Sequence, residues 1–359
     1  MILRLFSAAL LLLLAVPATA APELEEREAI VDEVSRLYYE RDFAALSKLA
    51  EEYRSQGSRT ESGLWKLTLF YSGINEVALD TQTRDRLWQA TGKTADDWAA
   101  ALPQDPTPRI TQARLHISRA WQYRGGDWAH NVPEQNMAAF HQQLERAESL
   151  LLRHKDIASK DPEWYRCMLK VANGLGWDRA RFASLLDEAT QRHPYYYDIY
   201  FIAMEYLTPR WHGSDKDIDD FISFAVSRTR AQEGNGLYAR IYWFASQIEY
   251  RDRLATDSLM NWKRMRAGIN DVLARYPDQW NINNFARFAC LAGDREMTRT
   301  LVLKMETNIP EGWGDIGMDG YADCLNWAVG KTDYPPYLKG SQPSTKPKKG
   351  RPASSRGTA

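Results

Sequence analysis

The chain has 359 residues, 44% hydrophobic and 26% charged, with a formal net charge of −1. This balance excludes a disordered chain, and the length allows one elongated domain or two ordinary ones with a sizeable core. Taking away Arg4 and the six cations Lys339, Lys346, Lys348, Lys349, Arg351 and Arg356 leaves −8 for residues 21–334, which argues against a nucleic-acid-binding surface on the body.

Residues 1–20, MILRLFSAALLLLLAVPATA, set Arg4 ahead of an apolar run that ends near Val16 and finish on the small-x-small site Ala18-Thr19-Ala20. This reads as a secretory signal peptide cleaved near Ala20/Ala21, which predicts a periplasmic or secreted protein. The run is short for a transmembrane helix, and no later segment approaches the length one requires.

From about residue 24 to 330 the hydrophobic spacing is helical, with no alternating pattern of comparable length. The segment LYYERDFAALSKLAEEY reads as two helices turning at Arg41-Asp42. Met137, Phe140, Leu144, Ala147 and Leu151 form one apolar stripe. Phe182, Leu185, Leu186 and Ala189 form a second behind Asp178 as N-cap. Ile218, Phe221, Ile222 and Ala225 form a third behind Ser214. In Asn283 to Met305, Gly293-Asp294 reads as another inter-helix turn. Pro162 and Pro194 stand 32 residues apart, and Pro277 comes 83 residues later, about two units on. Tetratricopeptide-type hairpins repeat at about 34 residues and end on proline. Ala189 and Pro194 match late positions of that motif, whereas the early Trp-Leu-Gly-Tyr positions mostly go unmatched. The expected fold is therefore all-α: an α-solenoid of degenerate tetratricopeptide-like helical hairpins over residues 21–334, stabilised by stacking. The last segment, 335–359, is expected to be a disordered basic tail, either solvated or in contact with an anionic surface.

No HExxH, ExxH, CxxC or GxSxG occurs, and TGKT (Thr91 to Thr94) fails as a phosphate loop because Leu87 stands where the first glycine must be. His116, His130, His141, His154, His193 and His212 show no metal-ligand spacing, so no metal or other cofactor is expected. His141, four residues after Met137, reads as a core histidine. His193, before Pro194, reads as a cap or surface group. Cys290 and Cys324 are 34 residues apart, about one repeat, and are candidates for a disulfide in an exported chain; the other reading is three buried thiols, with Cys167.

Three turns carry unusual chemistry: RGGDWAH (Arg124 to His130), GLGWD (Gly174 to Asp178) and PRWHGSD (Pro209 to Asp215). Glycine, Asp, Ser and Trp in such turns are explained by helix ends and caps. Arg and His are not, and equivalent turns of stacked hairpins meet along one edge. Arg124, Asp127, Trp128, His130, Arg210, Trp211 and His212 are thus candidate binding residues. In HPYYYDIYFIAMEYL, Tyr197 and Tyr200 fall on two different apolar stripes, so the helix is either sandwiched in the core or faces a concave groove.

The segments AWQYRGGDWAHNVPEQNMAAFHQQLERA, DPEWYRCMLKVANGLGW and YYYDIYFIAMEYLTPRWHGS, with SGLWKLTLFYSGI upstream, resemble an exported bacterial family designated a domain of unknown function, with tetratricopeptide-like hairpins. The resemblance spans about residues 60–250. It implies fold and export, and supplies no activity or catalytic residues; His212 departs from it, standing where a glycine-like turn residue is expected. The expected role is a protein- or peptide-binding module of the cell envelope, without evident catalysis. The alternative is an envelope enzyme or small-ligand binder using a composite polar site at Arg124–His130 and Arg210–Asp215, with Asp or His as general base.

Overall fold

The computed structural model describes residues 22–81, 83–333 and 337. The expected signal peptide, and the expected basic tail apart from Tyr337, lie outside the described residues. In chain order the helices begin with α1 (Pro22–Glu40), α2 (Phe43–Gln56), α3 (Lys66–Thr81), α4 (Asp85–Ala101), α5 (Pro106–Arg124) and α6 (Glu134–Arg153). They continue through α7 (Lys155–Ala158), α8 (Pro162–Gly174), α9 (Arg179–Arg192), α10 (Tyr197–Tyr206) and α11 (Asp215–Glu233). The last are α12 (Gly236–Ala245), α13 (Leu254–Asp257), α14 (Trp262–Arg275), α15 (Gln279–Leu291), α16 (Arg295–Val302) and α17 (Gly317–Ala328). The fold is all-α; among the described residues the only β pairing is one isolated bridge, Arg59 to Trp65.

One local rule starts many of these helices. A short polar side chain accepts a backbone N–H from the first turn: Asp42 from Ala45, Asp178 from Arg181, Ser214 from Asp217, Asn261 from Arg264 and Asp294 from Met297. Asp105 and Asp161 do the same ahead of Pro106 and Pro162, where proline loses nothing because its missing N–H would have had no intrahelical partner. The stripes at Phe182 and Ile218 are buried as their spacing predicts, and so is that at Phe140, with Met137 packed at its margin. His141 is exposed, which corrects its reading as a core histidine: the buried stripe runs through Phe140 and Leu144, and the next residue after Phe140 is turned toward solvent.

Helices pair along the chain, α5 with α6, α8 with α9, α11 with α12 and α15 with α16, while α1, α3, α5, α8, α10 and α12 pack each on the next. Tyrosine hydroxyls tie these layers together. Tyr165 donates to Glu188 (2.7 Å), Tyr206 to the Trp177 carbonyl (2.8 Å), Tyr242 to Asp219 (2.8 Å) and Tyr250 to Asp215 (2.7 Å). A buried ring thereby contributes apolar area while its polar end stays satisfied.

The segment between α2 and α3 reaches much later parts of the chain. The Trp65 indole N–H donates to the Tyr195 carbonyl (2.6 Å). The Ser62 carbonyl accepts from Arg240 (2.8 Å) on α12 and from the Asn281 amide (3.0 Å) on α15. Beneath it lies a buried polar network. Asp161 accepts from Arg54 (2.5 Å) and from the Tyr71 hydroxyl (2.8 Å). Glu163 accepts from Arg114, from Arg166 (3.1 Å) and from Tyr196 (3.0 Å), and Thr68 donates to Asp198 (2.5 Å). Burial pushes the Asp161 and Asp198 carboxyls above their ordinary pKa, against the pull of Arg54 and Arg166 respectively. Cys290 and Cys324 form a disulfide that joins α15 to α17, with Cα atoms 5.8 Å apart. Cys167 is a buried free thiol.

Candidate functional site

The α5–α6 turn is built on Gly125, at φ +63°, whose N–H donates to the Trp121 carbonyl (2.9 Å). Asp127 organises the rest of the turn, accepting from the Trp128 N–H (2.7 Å) and the Asn131 side chain (3.1 Å). The Asn131 bond first, then that N–H, hold the Asp127 carboxyl below its ordinary pKa. Asp127 thus serves its own turn, and its lowered basicity works against the general-base role of the composite site. Arg124 donates to the Gly125 (3.2 Å) and Asp127 carbonyls. Trp128 is left 56% exposed, the most exposed large aromatic after Tyr39 among the described residues.

The α10–α11 turn folds back on α10. The Trp211 N–H donates to Thr208 (3.0 Å), and the His212 N–H to Tyr206 (3.1 Å). Among the described residues only Arg41 and Arg251 are non-glycine positions with positive φ, so His212 occupies its place without backbone strain. The close approach falls on Gly213, where a Cβ would stand 2.0 Å from the Leu207 carbonyl oxygen.

The two turns meet through reciprocal cation–aromatic contacts. The Arg124 guanidinium lies 5.7 Å from the Trp211 ring centroid, and that of Arg210 lies 5.4 Å from Trp128. Trp211 also packs edge-on against Trp121 (5.6 Å), which has Lys170 over its face at 4.0 Å. Lys170 is paired with Glu205 (2.9 Å), whereas Arg124 and Arg210 belong to no ion pair among the described residues. Partial burial, and then the nearby charge of Arg210, lower the Arg124 pKa. The α8–α9 turn joins the same edge: Arg181 stacks on Trp177 at 3.2 Å, and Arg179 donates to the His212 carbonyl (2.7 Å). Arg179 also pairs with Asp217 (2.7 Å), which with Ser214 pushes the Asp217 carboxyl down to about 2.

The structure therefore brings together Arg124, Trp128, Arg210, Trp211 and His212, with His130 exposed in the short turn Ala129–Asn131. It does not bring Tyr197 or Tyr200 to a surface, which corrects the groove reading of their helix. They are 2% and 0% exposed. Tyr200 donates to the Pro194 carbonyl (2.9 Å), and Tyr197 lies under Arg59 (4.5 Å) and Arg240 (5.2 Å). Arg59 comes from the α2–α3 segment, which covers Tyr197, whereas Tyr200 packs toward Phe221 of α11 (6.4 Å).

On the edge where one hairpin ends and the next begins, a cleft of about 900 Å³ opens between the end of α2, the starts of α5 and α8, residues 192–196 and the end of α14. Its cations are Arg54, Arg59, Lys160, Arg192 and Arg275, and its one acidic lining residue is Glu51. These residues escaped the sequence reading, although a signal is present: α2, α9 and α14 each carry an arginine in the last turn. Among the described residues no group of His, Cys, Asp and Glu is placed to hold a metal ion, and no helix is long and apolar enough to cross a membrane. Comparison with protein-family models, with curated proteins and with solved structures gives no match in any of the three.

Proposed function

We propose that this chain is an exported α-solenoid of degenerate tetratricopeptide-like hairpins that binds a protein or peptide along the edge where the α5–α6 and α10–α11 turns meet. The observation carrying this reading is the pairing of Arg124 with Trp211 and Arg210 with Trp128, which leaves one indole more than half exposed. Tryptophan and arginine are the residues that most often dominate protein interfaces, because each offers large contact area together with polar ends. Holding each guanidinium against a ring lowers the entropy lost on contact. Export is supported by the leader-like residues 1–20 and by the Cys290–Cys324 bond, which suits an oxidising compartment.

Site-specific photocrosslinking in the cell envelope tests the proposal. A crosslinker at position 128 or 210 should capture the same partner, and one at Leu152, 48% exposed near the end of α6, should not. Trp128→Ala and Arg210→Ala should each weaken binding of that partner about tenfold. Equal capture from position 152, with affinity unchanged in both alanine variants, would refute it.

A further inference from the structure

We propose that the cleft at the hairpin junctions binds a small organic anion carrying at least two carboxylate or phosphate groups. The volume of about 900 Å³ falls within the range of small-molecule sites, roughly 300–1,000 Å³. Two of its cations are already fixed. Arg54 is held by Asp161 (2.5 Å) and Glu51 (2.5 Å), and Arg59 donates to the Gly63 (3.1 Å) and Tyr195 (3.1 Å) carbonyls. The other three, Lys160, Arg192 and Arg275, are exposed. Arg192 donates to the Ser159 hydroxyl (3.3 Å), and its one ion-pair contact among the described residues is a long one to Glu188 (3.8 Å), a carboxylate that Lys155 already holds at 2.8 Å. Arg275 donates to the Gln232 carbonyl (2.5 Å) and, like Lys160, enters no ion pair among the described residues.

Helix dipoles account for Arg54, Arg192 and Arg275 singly, since a cation is favoured in a last turn. They do not account for Arg59, between α2 and α3, or Lys160, between α7 and α8, nor for all of these groups facing one cavity. The walls also carry Trp65, Tyr195 and Tyr276, flat faces suited to the non-ionic part of an organic ligand. Trp65 is anchored by its bond to the Tyr195 carbonyl, so the floor is formed before a ligand arrives. Guanidinium forks match carboxylate and phosphate geometry, and one anion bridging Arg192, Arg275 and Lys160 would neutralise two charges that enter no ion pair among the described residues and a third held only at 3.8 Å.

Isothermal titration of the full chain with pyrophosphate and with citrate, at about 20 and 150 mM salt, tests for a dissolved ligand. Co-sedimentation with phosphatidylcholine vesicles, with and without phosphatidylglycerol, tests for the same chemistry on a lipid headgroup. Binding in either arm is expected to fall about tenfold in Lys160→Ala and in Arg275→Ala and further in the double variant, and to weaken with salt. Arg253→Ala, which removes an exposed cation paired with Asp257, should leave binding unchanged. Lys160 and Arg275 are surface side chains, so a melting temperature close to that of the parent chain separates lost binding from lost fold. Which arm responds identifies the source of the anion. Binding undiminished in the double variant, or absent for every probe in both arms, overturns the proposal.

Discussion

At the scale of single residues, the densest chemistry in the molecule lies in the buried network rather than at the exposed turns. Glu163, 1% exposed, accepts from two arginines and a tyrosine, so removing it strands Arg114 and the Tyr196 hydroxyl in the interior. Breaking one side of a buried ion pair costs about 3–5 kcal/mol. Glu163→Ala is therefore expected to lower unfolding free energy by that order, read from urea midpoints. A change below about 1 kcal/mol, the level of an exposed pair, would mean that solvent reaches the network. One part of this site is local: Asp161 caps the proline-started helix, accepting from the Glu163 N–H (2.8 Å). Its partners Arg54 and Tyr71 come from the first two hairpins, and no local pattern specifies contacts across 107 and 90 residues.

At the scale of elements, the turns show how a helix end constrains its own sequence. Gly213 is held between α10 and α11 by an N–H donated to the Thr208 carbonyl (3.1 Å), with no room for a methyl beside Leu207. Gly213→Ala should move the turn, separate Arg210 from Trp128, and cost on the order of 1–3 kcal/mol as local overpacking. Gly126→Ala is the contrast, because a Cβ there meets nothing within 4 Å. Thermal melts of the pair check this, and equal melting temperatures would count against the close approach. Most of this scale is legible in the sequence. The turns at Arg41-Asp42 and Gly293-Asp294, the caps Asp178 and Ser214, and the separation of α5 from α6 come from apolar period and capping chemistry, which act within a few residues. The meeting of RGGDWAH with PRWHGSD comes from the expectation that like turns of stacked hairpins align. The burial of Tyr197 and Tyr200 is not legible, since a stripe of aromatics looks alike whether another segment covers it or not. The segment that covers Tyr197, 57–65, has no periodicity that announces where it docks.

At the scale of the whole molecule, the disulfide closes the end of the described helices. It links residues 34 apart, and chain-entropy arguments assign a loop of that length about 3–4 kcal/mol of stabilisation. Cys290→Ser with Cys324→Ser should lose stability of that order, with the loss read from denaturant unfolding. Thiol titration of the denatured, unreduced chain should find one reactive group, Cys167; three would exclude the bond. In the folded state that thiol should resist alkylation, because burial raises its pKa and shields its sulfur.

The docking of Ser62 has a consequence in time. Its carbonyl waits for Asn281, 219 residues later, and at about 5–20 residues per second that partner is translated roughly 10–45 s afterwards. Earlier in the same interval Arg54 waits for Asp161 and Arg59 for the Tyr195 carbonyl, so the start of the chain holds arginines whose final surroundings do not yet exist. A C-terminally shortened chain would keep that half-built interior open indefinitely, so stalled translation products of this protein should be good clients for chaperones.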